Sequence, residues 1–451
     1  MNKLNNIQNL YFIGIGGIGM SALARYFNLH GKQVFGYDKT PSAITEALIE
    51  EGISVQYKDS EKEIPTIFQD KETSLVVVTP AIPNDNKIST WFTSENYSIL
   101  KRAELLGEIS KNTICLAVAG THGKTTTSAI LAHLLVESDM SVTAFLGGIM
   151  EGYDSNLIYK GDVITVVEAD EFDRSFLQLQ PSVACVTSMD ADHLDVYKNA
   201  SDLEETFQAF SKLVPKKGSL LFKKGLPLEG LSVSVEEEAD FQAKNIRIEN
   251  GSYVFDLKTP TDKLKDLIFS LPGRHNLFNA VTALGMAILA GSPTARLPKA
   301  LQSFKGVKRR FTKTINTEEL VLIDDYAHHP TEIDALFQAV SEMYPTKRKL
   351  IVFQPHLFSR TRDFADDFAR SLSQFDEVIL LDVYPAREKP MEGITSEWLL
   401  EKVVSENKKL VSKSALAKKI KESNCEIKIM AGAGDIGIEV EQVKTYLLYE
   451  N

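Results

Sequence analysis

The sequence predicts an α/β protein, and three observations predict it. Short apolar runs recur that end in glycine-containing turns and lead into stretches with helical apolar spacing, the pattern of parallel strands covered by helices. That pattern restarts twice, near residues 110 and 312. Between Gly218 and Leu271 it gives way to short alternating stretches such as "GSYVFDLK", with few helical signals, which read as a β-rich annex. The predicted organisation is an N-terminal α/β domain over residues 1–110, a central domain carrying the annex over 111–312, and a C-terminal α/β domain over 313–451. A chain of 451 residues suits two to four domains of ~100–200 residues.

In the first domain, Leu10–Ile15 is a strand, Met20–Leu29 a helix stopped by Gly31, and Gln33–Tyr37 the next strand. "SLVVVTPAIP" is a buried strand ending in a proline-containing loop. This order of elements is Rossmann-like. In the central domain "NTICLAVAG" is a strand and "TTTSAILAHLLVES" the helix after it, with further strands at Val163–Val167 and Val183–Thr187. "NLFNAVTALGMAILAG" is an amphipathic helix. The third domain is Rossmann-like again, with strands in "LVLIDDY", "KLIVFQP", "EVILLDVYP" and "KIMAGAGDI".

The bulk numbers exclude more than they assign. A formal net charge of -11 argues against a nucleic-acid partner, which needs a basic face. No apolar run approaches the ~18 residues of a membrane span, and no leader peptide is expected. Cys115, Cys185 and Cys425 have no metal-type spacing and read as buried small hydrophobes. A cytoplasmic protein is the expectation, as a monomer or a homodimer.

Two loops carry phosphate-binding character. Gly14-Ile-Gly16-Gly17-Ile18-Gly19 lies between a strand and a helix. There glycine admits close backbone approach to a phosphate, and the helix end offers unpaired N–H groups. Asp38 ends the next strand, about where a dinucleotide site holds a ribose. Taken alone, this loop is compatible with an NAD-type site, another phosphate ligand, or a glycine turn that only packs a helix on a sheet.

The second loop is Gly120-Thr121-His122-Gly123-Lys124-Thr125-Thr126. It resembles a P-loop, with Val118 where the usual first glycine would stand. Backbone N–H groups would ring the phosphates, Lys124 would supply charge, and the Thr125 hydroxyl would face Mg²⁺. The central domain therefore reads as a P-loop-type ATPase domain. "VITVVEADEFDRSF" then delivers Glu168 to a strand's C-terminal edge, with Asp170, Glu171 and Asp173 behind it. Carboxylates so crowded call for a cation or basic groups among them, and Mg²⁺ suits oxygen ligands beside phosphates. A third strand ends in Asp190, Asp192, His193 and Asp195; His193, at a strand end among carboxylates, reads as a metal or substrate contact.

Eight stretches then stand in order: "GIGGIGMSALA", "GTHGKTTT", "VVEADEFD", "DADHLD", "GRHNLFNA", "KRRF", "DDYAHHPTEI" and "FQPHLFSRTRD". Together they closely resemble the Mur ligases, from Gly14 to about Asp435. The resemblance implies an ATP-dependent amide-forming reaction of bacterial cell-wall synthesis, with UDP-N-acetylmuramate, L-alanine and ATP as substrates and Mg²⁺ as cofactor, for which Mn²⁺ may substitute. It assigns the first loop, with Gly14, Gly16, Gly17, Ile18, Gly19 and Asp38, to the UDP-sugar. It assigns Gly120–Thr126 to ATP, with Lys124, Glu168 and His193 catalytic and Thr125, Glu168 and His193 on the metal. His275, Asn276 and Asn279 would hold the adenine, and Arg310 the phosphates, with Arg309 beside it. Tyr326, His328 and Arg360 would hold the amino acid. Some relatives carry a second arginine where this chain has Leu357.

Other readings stay open at this level. A sister ligase attaching a preformed tripeptide would share the ATP machinery. An NAD(P)-dependent oxidoreductase would explain Gly14–Gly19 and Asp38, but leaves Lys124, Thr125 and Glu168 without a role. A nucleotide-gated binding protein with no chemistry is a third.

Overall fold

The computed structural model describes residues 4, 6–83, 85–190, 197, 200–215, 218–249, 251–386 and 388–449. The chain forms two compact units. One comprises residues 1–247, 254–269 and 278–305; the other comprises 248–253, 270–277 and 306–451.

The first unit begins with five parallel strands: β1 (Asn9–Ile13), β2 (Gln33–Tyr37), β3 (Ser54–Gln56), β4 (Ser74–Val78) and β5 (Ile99–Lys101). Their order is β3-β2-β1-β4-β5. Every residue of β1 is buried, as a strand between two neighbours and under helices must be. The sheet order reverses at β1 and β4, the place where open α/β sheets bind ligands. The helix Ile18–Leu29 starts there, two residues earlier than the apolar spacing predicts, with Gly17 as its N-cap.

The same unit holds most of a larger sheet, of which residues 248–253 are assigned to the second unit. Its strands are β6 (Ile114–Ala119), β7 (Val142–Met150), β8 (Ser155–Tyr159), β9 (Ile164–Ala169), β10 (Val183–Val186), β11 (Ser219–Lys223), β12 (Leu231–Val235), β13 (Phe241–Glu249), β14 (Ser252–Lys258) and β15 (Lys263–Phe269). The order is β15-β14-β13-β12-β11-β10-β6-β9-β7-β8. β6 is central, paired in parallel with β9 and β10, so the loops after these three strands open at one edge. The β-rich annex is no separate layer: β11 to β15 prolong this sheet. The hairpin β7–β8 is antiparallel, turns at residues 151–154 with Gly152 and Asp154 at positive φ, and has no counterpart in the sequence reading. The helix Lys124–Glu137 is buried on nearly every side. Cys115 and Cys185 are buried free thiols, as expected, and burial pushes both up to about 12.

The second unit is built on β16 (Thr312–Asn316), β17 (Val321–Asp325), β18 (Lys349–Phe353), β19 (Glu377–Leu380), β20 (Lys408–Leu410) and β21 (Ile427–Ala431). The order is β16-β17-β21-β18-β19-β20, with only β16 antiparallel to its neighbour. The four predicted strands are β17, β18, β19 and β21, and the apolar sides of all four are buried between helices.

Candidate active site

The second glycine loop leaves β6 at its C-terminal end. Gly120 has φ +133, and a Cβ there would lie 2.1 Å from Thr187 Oγ1; Gly123 has φ +82 and would meet Asn279 Oδ1 at 2.5 Å. Both positions therefore need glycine. The end of β10 braces the loop from behind. Ser188 Oγ accepts the His122 N–H at 2.8 Å and lies 2.8 Å from Thr121 Oγ1. The Asp190 N–H donates to Thr121 Oγ1 at 3.1 Å, and His122 Nε2 lies 3.5 Å from Asp190 Oδ2. The loop is thus held in shape from the β10 side. Thr126 is buried just inside the helix.

Lys124 and Glu168 occupy the expected edge. Lys124 Nζ donates to the Gly120 carbonyl at 2.6 Å and to both oxygens of Glu171, at 2.9 and 2.7 Å. Desolvation alone would lower the ammonium, but Glu171, Asp170 and Glu168 outweigh it and hold its pKa above the ordinary value. Glu168 accepts from Thr125 Oγ1 at 3.1 Å, Ser128 Oγ at 3.1 Å and the Gly147 N–H at 2.6 Å. Desolvation still pushes its carboxyl up, against those donors and Lys124. The sequence left Glu171, Ser128 and Gly147 without roles. Ser128 was legible in principle, since i+3 from Thr125 shares a helix face; the Gly147-Gly148 pair inside a strand signals a bulge or a close approach without naming Glu168 as the partner.

A carboxylate and a hydroxyl side by side are hard oxygen donors, and Mg²⁺ is commonly held by one or two carboxylates plus substrate phosphates. Thr125 and Glu168 fit that ion. Among the described residues no three His, Cys, Asp or Glu side chains gather as a metal site. His193, with Asp192 and Asp195, lies outside the described residues.

The first loop is in the same unit. Gly14 has φ +88 and the Gly16 N–H donates to Asp38 Oδ2 at 2.8 Å. A Cβ on Gly16 would come within 2.8 Å of Asp38 Oδ2 and Thr45 Cγ2, and one on Gly19 within 2.6 Å of Arg102 Nη1. The glycines at 16 and 19 thus serve close packing, and Asp38 ties the loop to the end of β2. Gly17 is exposed and Ile18 half-buried at the helix start. Arg102, which the sequence did not single out, also donates to Asp170 Oδ2 at 3.2 Å.

In the second unit, Tyr326, His328 and Arg360 follow β17 and β18. The Tyr326 and His328 rings are 5.4 Å apart, edge to face. His328 Nδ1 lies 2.9 Å from the Tyr326 carbonyl and 3.4 Å from Glu332. Arg360 is buried with Nη1 3.4 Å from His356 Nδ1, and His356 is 6.1 Å from the His328 ring. His356 joins these three side chains without having been foreseen. Leu357 is buried with φ +71. Arg310 stacks on Tyr326, its Cζ 4.9 Å from the ring centre. Arg309 also faces that ring, at 5.0 Å, but is committed to the Gly432 carbonyl at 2.5 Å. His275 is exposed at the start of the helix Arg274–Leu289, while Asn276 donates back to the Pro272 carbonyl at 2.7 Å. Asn279 is buried and packs at Gly123 in the first unit.

The parallel sheets, the P-loop-like turn and the lysine–carboxylate edge define an ATP-dependent ligase architecture, and the chain belongs to the Mur ligase family. Family models described as "Mur ligase family, catalytic domain", "Mur ligase middle domain" and "Mur ligase, glutamate ligase domain" match residues 9–113, 118–287 and 309–436. The chain is 59% identical over 451 residues, 100% of both chains, to a UDP-N-acetylmuramate–L-alanine ligase of Christiangramia forsetii. A crystal structure of the UDP-N-acetylmuramate–alanine ligase of Thermotoga maritima superposes with a TM-score of 0.82 at 27% identity, covering 96% of this chain and 98% of that one. A murein peptide ligase of Psychrobacter arcticus shares the fold, with a TM-score of 0.73 at 20% identity over 98% and 99% of the chains. Among the described residues no helix is long and apolar enough to cross a membrane.

Proposed function

We propose that this chain joins L-alanine to the lactoyl carboxylate of UDP-N-acetylmuramate, converting ATP to ADP and phosphate, in peptidoglycan precursor synthesis. The observation that carries this reading is full-length identity of 59% to a ligase so named. The oxidoreductase reading falls with family membership, since the first glycine loop then serves a sugar nucleotide and needs no redox cofactor. The reaction consumes ATP and belongs in the cytoplasm.

In the proposed reaction a carboxylate oxygen attacks the γ-phosphorus and the bond to ADP breaks, giving an acyl phosphate. The alanine nitrogen then attacks the acyl carbon, phosphate leaves with the C–O bond, and the nitrogen sheds a proton. Lys124 would exchange Glu171 for the transferring phosphoryl group, where fixed positive charge supplies much of the catalysis. Thr125, Glu168 and His193 would hold Mg²⁺, which when bound offsets the repulsion between carboxylate and phosphates. Residues 1–110 would bind the UDP-sugar through Gly14–Gly19 and Asp38, and 111–312 the ATP through Gly120–Thr126. Asn276 and Asn279, with His275, would hold the adenine, and Arg310 would reach the phosphates. Residues 313–451 would bind L-alanine, with Tyr326 and His328 lining the pocket and Arg360 on the carboxylate.

Phosphate release from ATP and Mg²⁺ with UDP-N-acetylmuramate tests this, adding L-alanine or the tripeptide in turn. Release that depends on L-alanine is expected. Release only with the tripeptide would move the chain to the peptide-attaching branch and overturn the pocket assignment.

A further inference from the structure

Asn156 sits in β8 and is fully buried, yet its whole amide is engaged outside its own hairpin. Nδ2 donates to the Ile18 carbonyl at 2.5 Å and to Ser21 Oγ at 3.0 Å. Oδ1 accepts from Arg25 Nη1 at 2.5 Å. Arg25 is buried too, and Glu51 fixes its other nitrogens, with Nε at 2.7 and 2.9 Å and Nη2 at 2.8 Å. Ile18, Ser21 and Arg25 all lie on the helix Ile18–Leu29, and Ile18 is its first residue and part of the glycine loop Gly14–Gly19.

The other strand of the same hairpin reaches the second loop. β7 keeps regular pairing with β8 up to Phe145, then shifts register before Met150 pairs with Ser155. Gly147 lies in that irregular stretch, and its N–H donates to Glu168 Oε1 at 2.6 Å. A Cβ on Gly147 would lie 2.4 Å from Glu168 Oε2, so backbone and carboxylate touch directly. One β-hairpin therefore holds the carboxylate of one phosphate site at Gly147 and the helix start of the other at Asn156. A buried amide with every partner satisfied has one favoured geometry, so a displacement of the hairpin at Gly147 when the Glu168 site fills would be passed on to Ile18 by Asn156.

We propose that Asn156 is a positioning residue that couples the two phosphate loops, so that a nucleotide triphosphate with its divalent cation and a nucleoside-diphosphate sugar each raise the other's affinity. The proposal rests on the assignment of those ligands to the two loops given above. Coupling of this kind is reciprocal and typically on the order of 10-fold.

The test measures the dissociation constant of a non-hydrolysable ATP analogue with Mg²⁺, with and without saturating UDP-N-acetylmuramate, by calorimetry on the full chain. The wild type is expected to bind the analogue about 10-fold tighter with the sugar nucleotide present. In Asn156→Asp, which keeps an acceptor for Arg25 but loses the donor to Ile18, that ratio is expected to fall to near one. Affinity for each ligand alone should stay within about 3-fold, a pattern that general destabilisation does not produce. Should that variant not fold, Arg25→Lys removes the fork behind Asn156 and is expected to lower the same ratio. A wild-type ratio of one, or an unchanged ratio in the variant that folds, overturns the proposal. Failure of the ligand assignment is distinguishable, because Lys124→Ala would then leave analogue binding intact, or Gly16→Val would leave UDP-sugar binding intact.

Discussion

The Lys124 ammonium is gripped by both carboxylate oxygens of Glu171, at 2.7 and 2.9 Å, and the Glu171 side chain is fully buried. A P-loop lysine committed to a carboxylate is a charge held in place before its phosphate arrives. Lys124→Ala is expected to lower ligation by about 10³-fold or more, while UDP-sugar binding stays near normal. Coupled phosphate-release and sugar-nucleotide binding assays check both halves; near-normal turnover would sink the phosphate-cradle assignment. Glu171→Gln keeps the shape but weakens the grip, so it should lower kcat with UDP-sugar binding retained.

The Gly16–Asp38 contact gives a second expectation. A methyl group at residue 16 would crowd the Asp38 carboxylate and Thr45 and force the loop off its position. Gly16→Ala should raise KM for UDP-N-acetylmuramate on the order of 100-fold, the scale of ångström-level misplacement, with KM for ATP changed far less. Equal changes in both would show that the loop does not serve the sugar nucleotide alone.

Arg360 offers a planar fork from a buried position beside His356. A lysine there keeps the charge but cannot make two parallel bonds to a carboxylate. Arg360→Lys should cost roughly 1.5–3 kcal/mol of alanine binding, about 10- to 100-fold in KM for L-alanine. A steady-state titration of L-alanine at saturating ATP reads this directly, and an unchanged KM would remove Arg360 from the pocket.

Asp324 is buried beneath the Arg309 side chain, and desolvation raises its carboxyl to about 6 despite that arginine, with Asp325 adding to the rise. The folded chain therefore keeps a proton that the unfolded chain has released between about pH 4 and pH 6. Stability from this group is fully present below the unfolded value and falls as pH rises through that window. Relative to Asp324→Asn, the wild type should lose up to about 3 kcal/mol of unfolding free energy between pH 4 and pH 6.5. Denaturant unfolding of both proteins across that range checks it; parallel curves would contradict it.

The α/β class, most strands, the two glycine loops and the residues at their rims were legible in the amino-acid order alone. These are local signals: β1 and β6 are apolar runs whose periodicity needs no partner to be recognised, and Gly120 and Gly123 mark turns that only glycine tolerates. Lys124, Thr125 and Glu168 were legible because a strand's C-terminal edge is fixed by the strand that precedes it. Which groups answer them emerged only from packing. Glu171 was one carboxylate in a crowd until packing buried it against Lys124. Gly147 and Asn156 lie in a hairpin whose Gly147-Gly148 pair marks an irregularity but not the partners it brings together, and the His356 and His328 rings lie 6.1 Å apart after two different strands of the second unit's sheet. Such contacts join residues far apart in the chain, and their geometry is set by how sheets and helices close-pack, which periodicity and spacing do not encode.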